Sequence, residues 1–340
     1  MSDLLAVPES RAFPLRRLLQ PLLGARHVAL HTHVHADGDG AGSQAAIAAW
    51  LEGRGVRATI VNPTPFPDSL RFVLHRQDVV ADFGTPEADA VLEEADLFLV
   101  LDTSEPERLG ALAQRLPRDR TLVVDHHPPG REVVGDVAVQ DPSAAATGEM
   151  VYDLITLAGD AVPHASALGA YVALVSDTGS FRYGNTTPRV LAVAAELMRL
   201  GIDPEVVYRR LFATAPRRRL ELLREALDSL ETSADGRVGW MVVPHRVTAR
   251  LGVSGEDFDG LIEHVRSVEG TEVALLFRET SPGETKVSLR SNGAADVNRV
   301  ARQFGGGGHV KAAGATFKEP VEMVVDRVVE AVVRALKGAN

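Results

Sequence analysis

The sequence predicts an α/β protein: an N-terminal domain with a mostly parallel sheet flanked by helices, a helical connector, and a smaller C-terminal α+β domain with a mixed sheet. Three observations predict it. In the first half, short and wholly apolar runs alternate with helical patterns, the signature of βαβ units and a parallel sheet covered on both faces. From about Pro188 to Glu231 the pattern turns almost entirely helical. From Gly236 strands return, two of them joined by the turn signal Ser281-Pro282-Gly283. The expected boundaries are 1–190, 191–235 and 236–340, in keeping with about two domains for a chain of 340 residues.

Taken in order, His27 to Thr32 is expected as a strand, and Gly42 to Arg54 as a helix closed by Gly55. Val56 to Val61, Leu97 to Leu101 and Thr121 to Val124 are the next strands. Gly148 to Leu157 and Ala167 to Leu174 have helical patterning. The later strands are Val238 to Val243, Thr271 to Phe277 and Thr285 to Arg290, with helices near 255–267, 295–304 and 320–337.

The chain contains no cysteine, which excludes disulfides, zinc–thiolate sites and Cys nucleophiles and leaves metal chemistry to His, Asp and Glu. The net charge of −10 lies entirely in residues 1–200, which hold 16 arginines and 26 carboxylates. A basic surface for coating long nucleic acid is therefore excluded. No apolar stretch approaches the roughly 20 residues of a membrane span, and Met1 to Pro14 lacks the pattern of a secretory signal. A cytoplasmic protein is expected, its oligomeric state left open with a homodimer as one option.

Four times an apolar run stops and a potential metal ligand begins: His33, Asp37 and Asp39 after the first strand, Asp102 after Phe98 to Leu101, Asp125-His126-His127 after Thr121 to Val124, and Asp177 after Ala173 to Ser176. In an open α/β sheet, ligands bind outside the carboxyl ends of the strands. Carboxylates and imidazoles gathered there repel or titrate unless a cation holds them, which points to a two-metal hydrolase. Each motif also has a plainer reading: Asp37 or Asp39 as a helix cap, Asp102 as a turn residue, Asp125 as a loop cap. In the first motif, Gly38 and Gly40 are expected to permit a tight backbone. In the triplet, one His is suited to a metal and the neighbouring His to acting as an acid or phosphate donor. His31, His33 and His35 share a face if the chain is extended; His31 is expected to be packed, and His35 has no assigned role. Near the C-terminus, Gly305 to Gly308 can wrap backbone N–H groups around an anion. Arg290, at a strand end, is a natural phosphate partner.

Together these elements resemble the DHH phosphoesterase family, and within it the branch whose C-terminal domain carries a GGGH loop. The resemblance runs from about His27 to Phe317 through His33-x-x-x-Asp37-Gly-Asp39, Asp102, Asp125-His126-His127, Asp177 and Gly305 to His309. It implies two divalent ions, Mn2+ first with Mg2+ or Co2+ as options. One ion would be held by His33, Asp37 and Asp102, and the other by Asp39, Asp102, His126 and Asp177. His127 would face the phosphate, and Arg290, Gly306, Gly307, Gly308 and His309 would grip substrate. The family often has Asn-Pro-Asp where this chain has His35-Ala36-Asp37, a departure that spares every metal position. The implied activity is hydrolysis of short oligonucleotides or dinucleotides such as pApA to nucleoside 5′-monophosphates, and of 3′-phosphoadenosine 5′-phosphate. The alternatives are a phosphomonoesterase or pyrophosphatase of the same superfamily, or a non-catalytic nucleotide sensor.

Overall fold

The computed structural model describes residues 2–130 and 132–337, and of Ser2, Asp3, Glu256 and His309 the backbone alone. The chain divides into two units, Met1–Thr214 and Ala215–Asn340. The helical run 191–235 is thereby shared between them.

The first unit runs α1 (Ser2–Leu5), α2 (Glu9–Gly24), β1 (His27–His31), α3 (Gly38–Gly53), β2 (Arg57–Ile60), α4 (Pro86–Glu94), β3 (Leu97–Leu101), α5 (Pro106–Leu109), β4 (Thr121–Asp125), β5 (Val137–Gln140), α6 (Thr147–Leu157), α7 (His164–Asp177), α8 (Pro188–Arg199) and α9 (Pro204–Leu211). Its five strands form one parallel sheet in the order β2-β1-β3-β4-β5. The chain reverses its direction of winding between β1 and β3, so a crevice opens at their carboxyl ends. Both faces of the sheet are covered. Val28, Leu30, Leu99, Leu101 and Val124 point into one core, and Ala29, Phe98, Val100 and Val123 into the other. That is why these strands are apolar throughout rather than alternating.

Two differences from expectation matter for the site. The first long helix begins at Gly38, not Gly42, so Asp39 lies in its first turn. Asp177 is the last residue of helix α7 and not a strand end. Small residues bring these helices together. A Cβ on Gly42 would lie 2.4 Å from the Gly169 carbonyl oxygen, and one on Gly169 would lie 2.4 Å from that of Gly42. Backbone thus meets backbone, and the start of α3 approaches the end of α7. Gly38 and Gly40 serve the same packing and not a tight turn. Neither has a positive φ, but a Cβ on Gly38 would strike Ser176 Oγ at 2.2 Å, and one on Gly40 would strike Thr32 Oγ1 at 2.5 Å.

The second unit comprises α10 (Arg217–Asp228), β6 (Glu231–Thr232), β7 (Val238–Val243), α11 (His245–Leu251), α12 (Leu261–Arg266), β8 (Val273–Ser281), β9 (Glu284–Ser291), α13 (Val297–Arg302), β10 (Gly307–His309), β11 (Ala312–Phe317) and α14 (Val321–Lys337). Its sheet has the order β10-β11-β9-β8-β7-β6, mixed because β7 and β8 are parallel and the other pairs antiparallel. Alternation along β8 sends Val273, Leu275 and Phe277 into one core and Ala274 and Leu276 into the other. Among the described residues, no helix is long and apolar enough to cross a membrane.

Candidate metal centre

The crevice between β1 and β3 gathers the acidic and imidazole groups. His33 and Asp37 follow β1, Asp102 follows β3, and His126 and His127 follow β4. Asp39 and Asp177 come from α3 and α7. Among the described residues, three sets of three have ligand atoms within 4.8 Å of one another: His33, Asp37 and Asp102; Asp39, His126 and Asp177; and Asp102, His126 and His127. Asp102 faces both. Its Oδ2 is 3.3 Å from His33 Nε2 and its Oδ1 is 3.5 Å from His126 Nε2. Its backbone takes the left-handed conformation at φ 64°, which Asp tolerates better than most residues. His33 Nε2 lies 3.7 Å from Asp37 Oδ2, and His126 Nε2 lies 3.1 Å from Asp177 Oδ2 and 3.7 Å from Asp39 Oδ2.

The donor set fits divalent cations. His33 Nδ1 is 2.9 Å from the Val34 carbonyl and His126 Nδ1 is 3.4 Å from that of Ala144. In their neutral form, with the Nδ1 protons so placed, both Nε2 atoms would turn lone pairs toward carboxylates, and both are buried with no hydrogen-bond partner among the described residues. Such a ring, braced through one nitrogen and bare at the other, is a metal ligand's arrangement. The spacings suit ligands sharing an ion, since metal–ligand bonds of about 2.0–2.2 Å leave neighbouring ligands roughly 3 Å apart.

Electrostatics press the same way. Burial alone would lower the pKa of His33, but Asp102 and Asp37 outweigh it and raise it to about 10. Burial opposes and Asp177 and Asp102 promote a raised pKa at His126. Asp39 is pushed well up by burial and by the charges of Asp102, Asp177 and Asp37. Burial also raises Asp102, against the pull of His33. These carboxylates demand positive charge, and ionised carboxylates with neutral imidazoles coexist here only around cations.

The cap reading of Asp37 also holds: its Oδ1 accepts from the backbone N–H of Asp39 (3.0 Å) and of Gly40 (3.1 Å), while Oδ2 turns to His33. Capping and ligation use different oxygens. Burial would raise its pKa, but His33 and those N–H groups bring it down to about 2.

Other groups brace the ligands. Asp39 accepts from Thr147 N (2.6 Å), Gly148 N (2.9 Å) and Ser43 Oγ (3.1 Å), so the N-terminus of α6 holds it. Thr147 Oγ1 donates to Asp102 Oδ1 at 3.2 Å. Asp125 pairs with His127, whose Nδ1 lies 2.8 Å from Asp125 Oδ1; His127 Nε2 faces Arg108 Nη1 at 3.4 Å. Thr147, Ser43 and Arg108 were not anticipated. Thr-Gly at a helix start is a faint signal, and nothing local marks Arg108.

His31 is buried against the Val61 carbonyl at 2.6 Å and stacks on Phe98. His35 lies beyond the strand with φ 56°, so His31, His33 and His35 do not share an extended face.

In the second unit, Arg290 is half-buried on β9, flanked in register by Ala274 and Ala312. Small neighbours leave its guanidinium room, and burial lowers its pKa. The glycine run is part of the sheet and not an open nest: Gly307 to His309 pair with Ala312 to Gly314. Cβ atoms on Gly306 and Gly308 would lie 2.1 Å and 2.4 Å from the carbonyl oxygens of Gly314 and Ala312. Register sets Arg290, Ala312 and His309 in one row across the sheet. The His309 side chain lies outside what is described.

A parallel sheet with such a carboxylate–imidazole crevice, followed by this mixed-sheet unit, defines a class, and the chain belongs to the DHH family. Residues 27–175 match the DHH family, N-terminal domain, and residues 243–338 match the DHHA1 domain. Among its relatives, the bifunctional oligoribonuclease and PAP phosphatase NrnA of Thermus thermophilus is 33% identical over 338 residues, 98% of each chain. The protein of the same name from Bacillus subtilis is 28% identical, over 85% of this chain and 89% of that one. In fold, the chain is similar to the crystal structure of an exopolyphosphatase-related protein from Bacteroides fragilis. That pair has a TM-score of 0.85 and 24% identity, covering 95% of this chain and 96% of that one.

Proposed function

We propose that the protein is a two-metal phosphodiesterase that cleaves short oligonucleotides and dinucleotides such as pApA to nucleoside 5′-monophosphates, and that it also removes the 3′-phosphate of 3′-phosphoadenosine 5′-phosphate. One observation carries this reading: six candidate ligand residues, distant in the chain, converge in two groups, with Asp102 of the first also within 3.5 Å of His126 of the second. The relatives named oligoribonuclease and PAP phosphatase support the substrate class.

His33, Asp37 and Asp102 would hold one ion, and Asp39, Asp102, His126 and Asp177 the other. Four carboxylates against two imidazoles favour hard ions, Mn2+ first, with Mg2+ or Co2+ as options. When bound, such a pair supplies acidified water and screens the negative charge that gathers on phosphorus. His127 is kept in one orientation by Asp125 and would act through Nε2 as the acid that gives a proton to the departing ester oxygen as the P–O bond breaks. Arg290, with Gly306, Gly307, Gly308 and His309, would bind the substrate's phosphates and bases; Arg offers two parallel N–H bonds to a phosphate. The acidic first unit suits short substrates better than long RNA. A cytoplasmic setting, where such fragments arise, belongs to the same proposal.

The test is a substrate panel of pApA, longer oligoribonucleotides, 3′-phosphoadenosine 5′-phosphate and pyrophosphate, each with Mn2+, Mg2+ and Co2+. Release of AMP from pApA is expected. Pyrophosphate hydrolysis without phosphodiester cleavage would replace this reading with the pyrophosphatase alternative.

A further inference from the structure

Beside the metal centre, the first unit has a recess of about 370 Å³ bordered by Ser176, the neighbour of Asp177, and by Arg182, Tyr183, Tyr208 and Phe212. The volume suits one small ligand. Its walls are unusual for a surface. Among the described residues, four aromatic side chains are exposed, Phe13, Tyr183, Tyr208 and Phe212, and three of them stand here. Tyr183, Tyr208 and Phe212 are 59%, 53% and 51% exposed. Rings left in water and clustered at one place mark a binding surface rather than chance.

Local structure explains how the rings are held. Tyr208 and Phe212 lie four residues apart, at the end of α9, with ring centroids 5.3 Å apart. The segment after α7 turns sharply, and Ser180 and Phe181 adopt left-handed φ values of 58° and 63°. Backbone of this kind is strained for residues other than glycine, and such strain gathers at functional sites. The turn sends Phe181 inward against Tyr171, 6.2 Å away, and Tyr183 outward over Gly179. With the ring in this position, a Cβ at Gly179 would sit 2.4 Å from it, and the positive φ of 56° there also favours glycine. Arg182 donates from Nε to the Gly179 carbonyl at 2.6 Å and has no ion-pair partner among the described residues. The recess therefore offers aromatic faces and an uncompensated guanidinium, next to a metal-ligand candidate.

We propose that this recess is a nucleoside subsite: Tyr183, Tyr208 and Phe212 stack on a base of the substrate, and Arg182 pairs with the phosphate attached to that nucleoside. The assignment rests on the phosphodiesterase reading and deepens it. Stacking is tolerant of base identity because every base has a π face. The subsite thus selects nucleotides over bare phosphate esters without choosing among bases. It touches no bond that breaks, so these are binding residues and their loss acts on affinity.

The experiment compares wild type with the double variant Tyr208→Ala, Phe212→Ala and with Arg182→Gln, each checked by its melting temperature. AMP, adenosine and ribose 5-phosphate are titrated against each protein, and steady-state kinetics are measured with pApA. The double variant is expected to bind AMP about tenfold more weakly, with ribose 5-phosphate affinity unmoved. Its KM for pApA should rise about tenfold with kcat changed less than twofold. Arg182→Gln should weaken AMP more than adenosine. AMP affinity and KM equal to wild type in the double variant would overturn the subsite, as would a kcat loss with KM intact. If wild type cleaves no phosphodiester, the functional reading fails, while the AMP titration still decides the recess.

Discussion

The two units handle charge in opposite ways. In the first, Asp39 and Asp102 are almost wholly inaccessible, 0% and 1% exposed, and lie among further carboxylates. In the second, Arg290 sits half-buried on a sheet face between two alanines. Charges of the first kind cannot stand by themselves, because burying unpaired carboxylates costs far more than a fold's margin of stability. They specify a cation. A charge of the second kind keeps partial contact with solvent and has no ion-pair partner among the described residues, so it can stand without a ligand. Loss of a buried carboxylate should therefore change what the protein holds, and loss of the arginine only what it grips.

The largest expected effect is at Asp102. Asp102→Asn keeps the shape and the tolerance for left-handed φ but removes the shared charge. Turnover of pApA should fall at least about a thousandfold, the several kcal/mol expected of Lewis-acid stabilisation. Bound metal, counted by mass spectrometry, should drop with it. Full activity in this variant would mean the centre is misplaced. Next is Arg290→Ala. A charge-assisted bond to phosphate contributes about 1.5–3 kcal/mol, so kcat/KM should fall roughly ten- to a hundredfold at unchanged metal content. Metal loss in this variant would erase the distinction between the units.

The last effect concerns stability and leaves turnover aside. Burial drives the pKa of His31 down to about 4 in the folded chain, despite the Val61 carbonyl. The unfolded chain, with an ordinary value near 6.5, binds the proton first as pH falls. Stability is thus full above about pH 6.5 and is lost between there and about 4. The loss is on the order of 3 kcal/mol at 1.36 kcal/mol per unit. His31→Asn keeps a donor for the Val61 carbonyl and does not titrate. Urea midpoints of chelator-treated proteins should converge on acidification, the wild type losing more. Parallel pH curves would assign the acid sensitivity elsewhere.

Much of the fold was legible because βαβ architecture writes itself in local pattern. Leu97–Leu101 is apolar at every position and proved buried on both faces. Helix ends were harder. The run Gly38-Asp39-Gly40-Ala41-Gly42 has poor helix propensity, yet it is helical, since only residues without bulk fit between Ser176, Thr32 and Gly169. Asp177 was noticed for its sequence context but comes from a helix end. The glycine run suggested an anion nest, and cross-strand pairing made it a hairpin.

By itself, the sequence determined which side chains are available for chemistry and the order of strands and helices along the chain. It did so because a metal ligand must be Asp, Glu or His where Cys is absent, and because burial imposes periodicity on every element. Tertiary structure decided which carboxylate faces which imidazole, that Thr147 and Gly148 hold Asp39, and that Tyr183 meets Tyr208 and Phe212 at one recess. Those are contacts across many residues, set by helix packing and sheet register, and no local pattern encodes them.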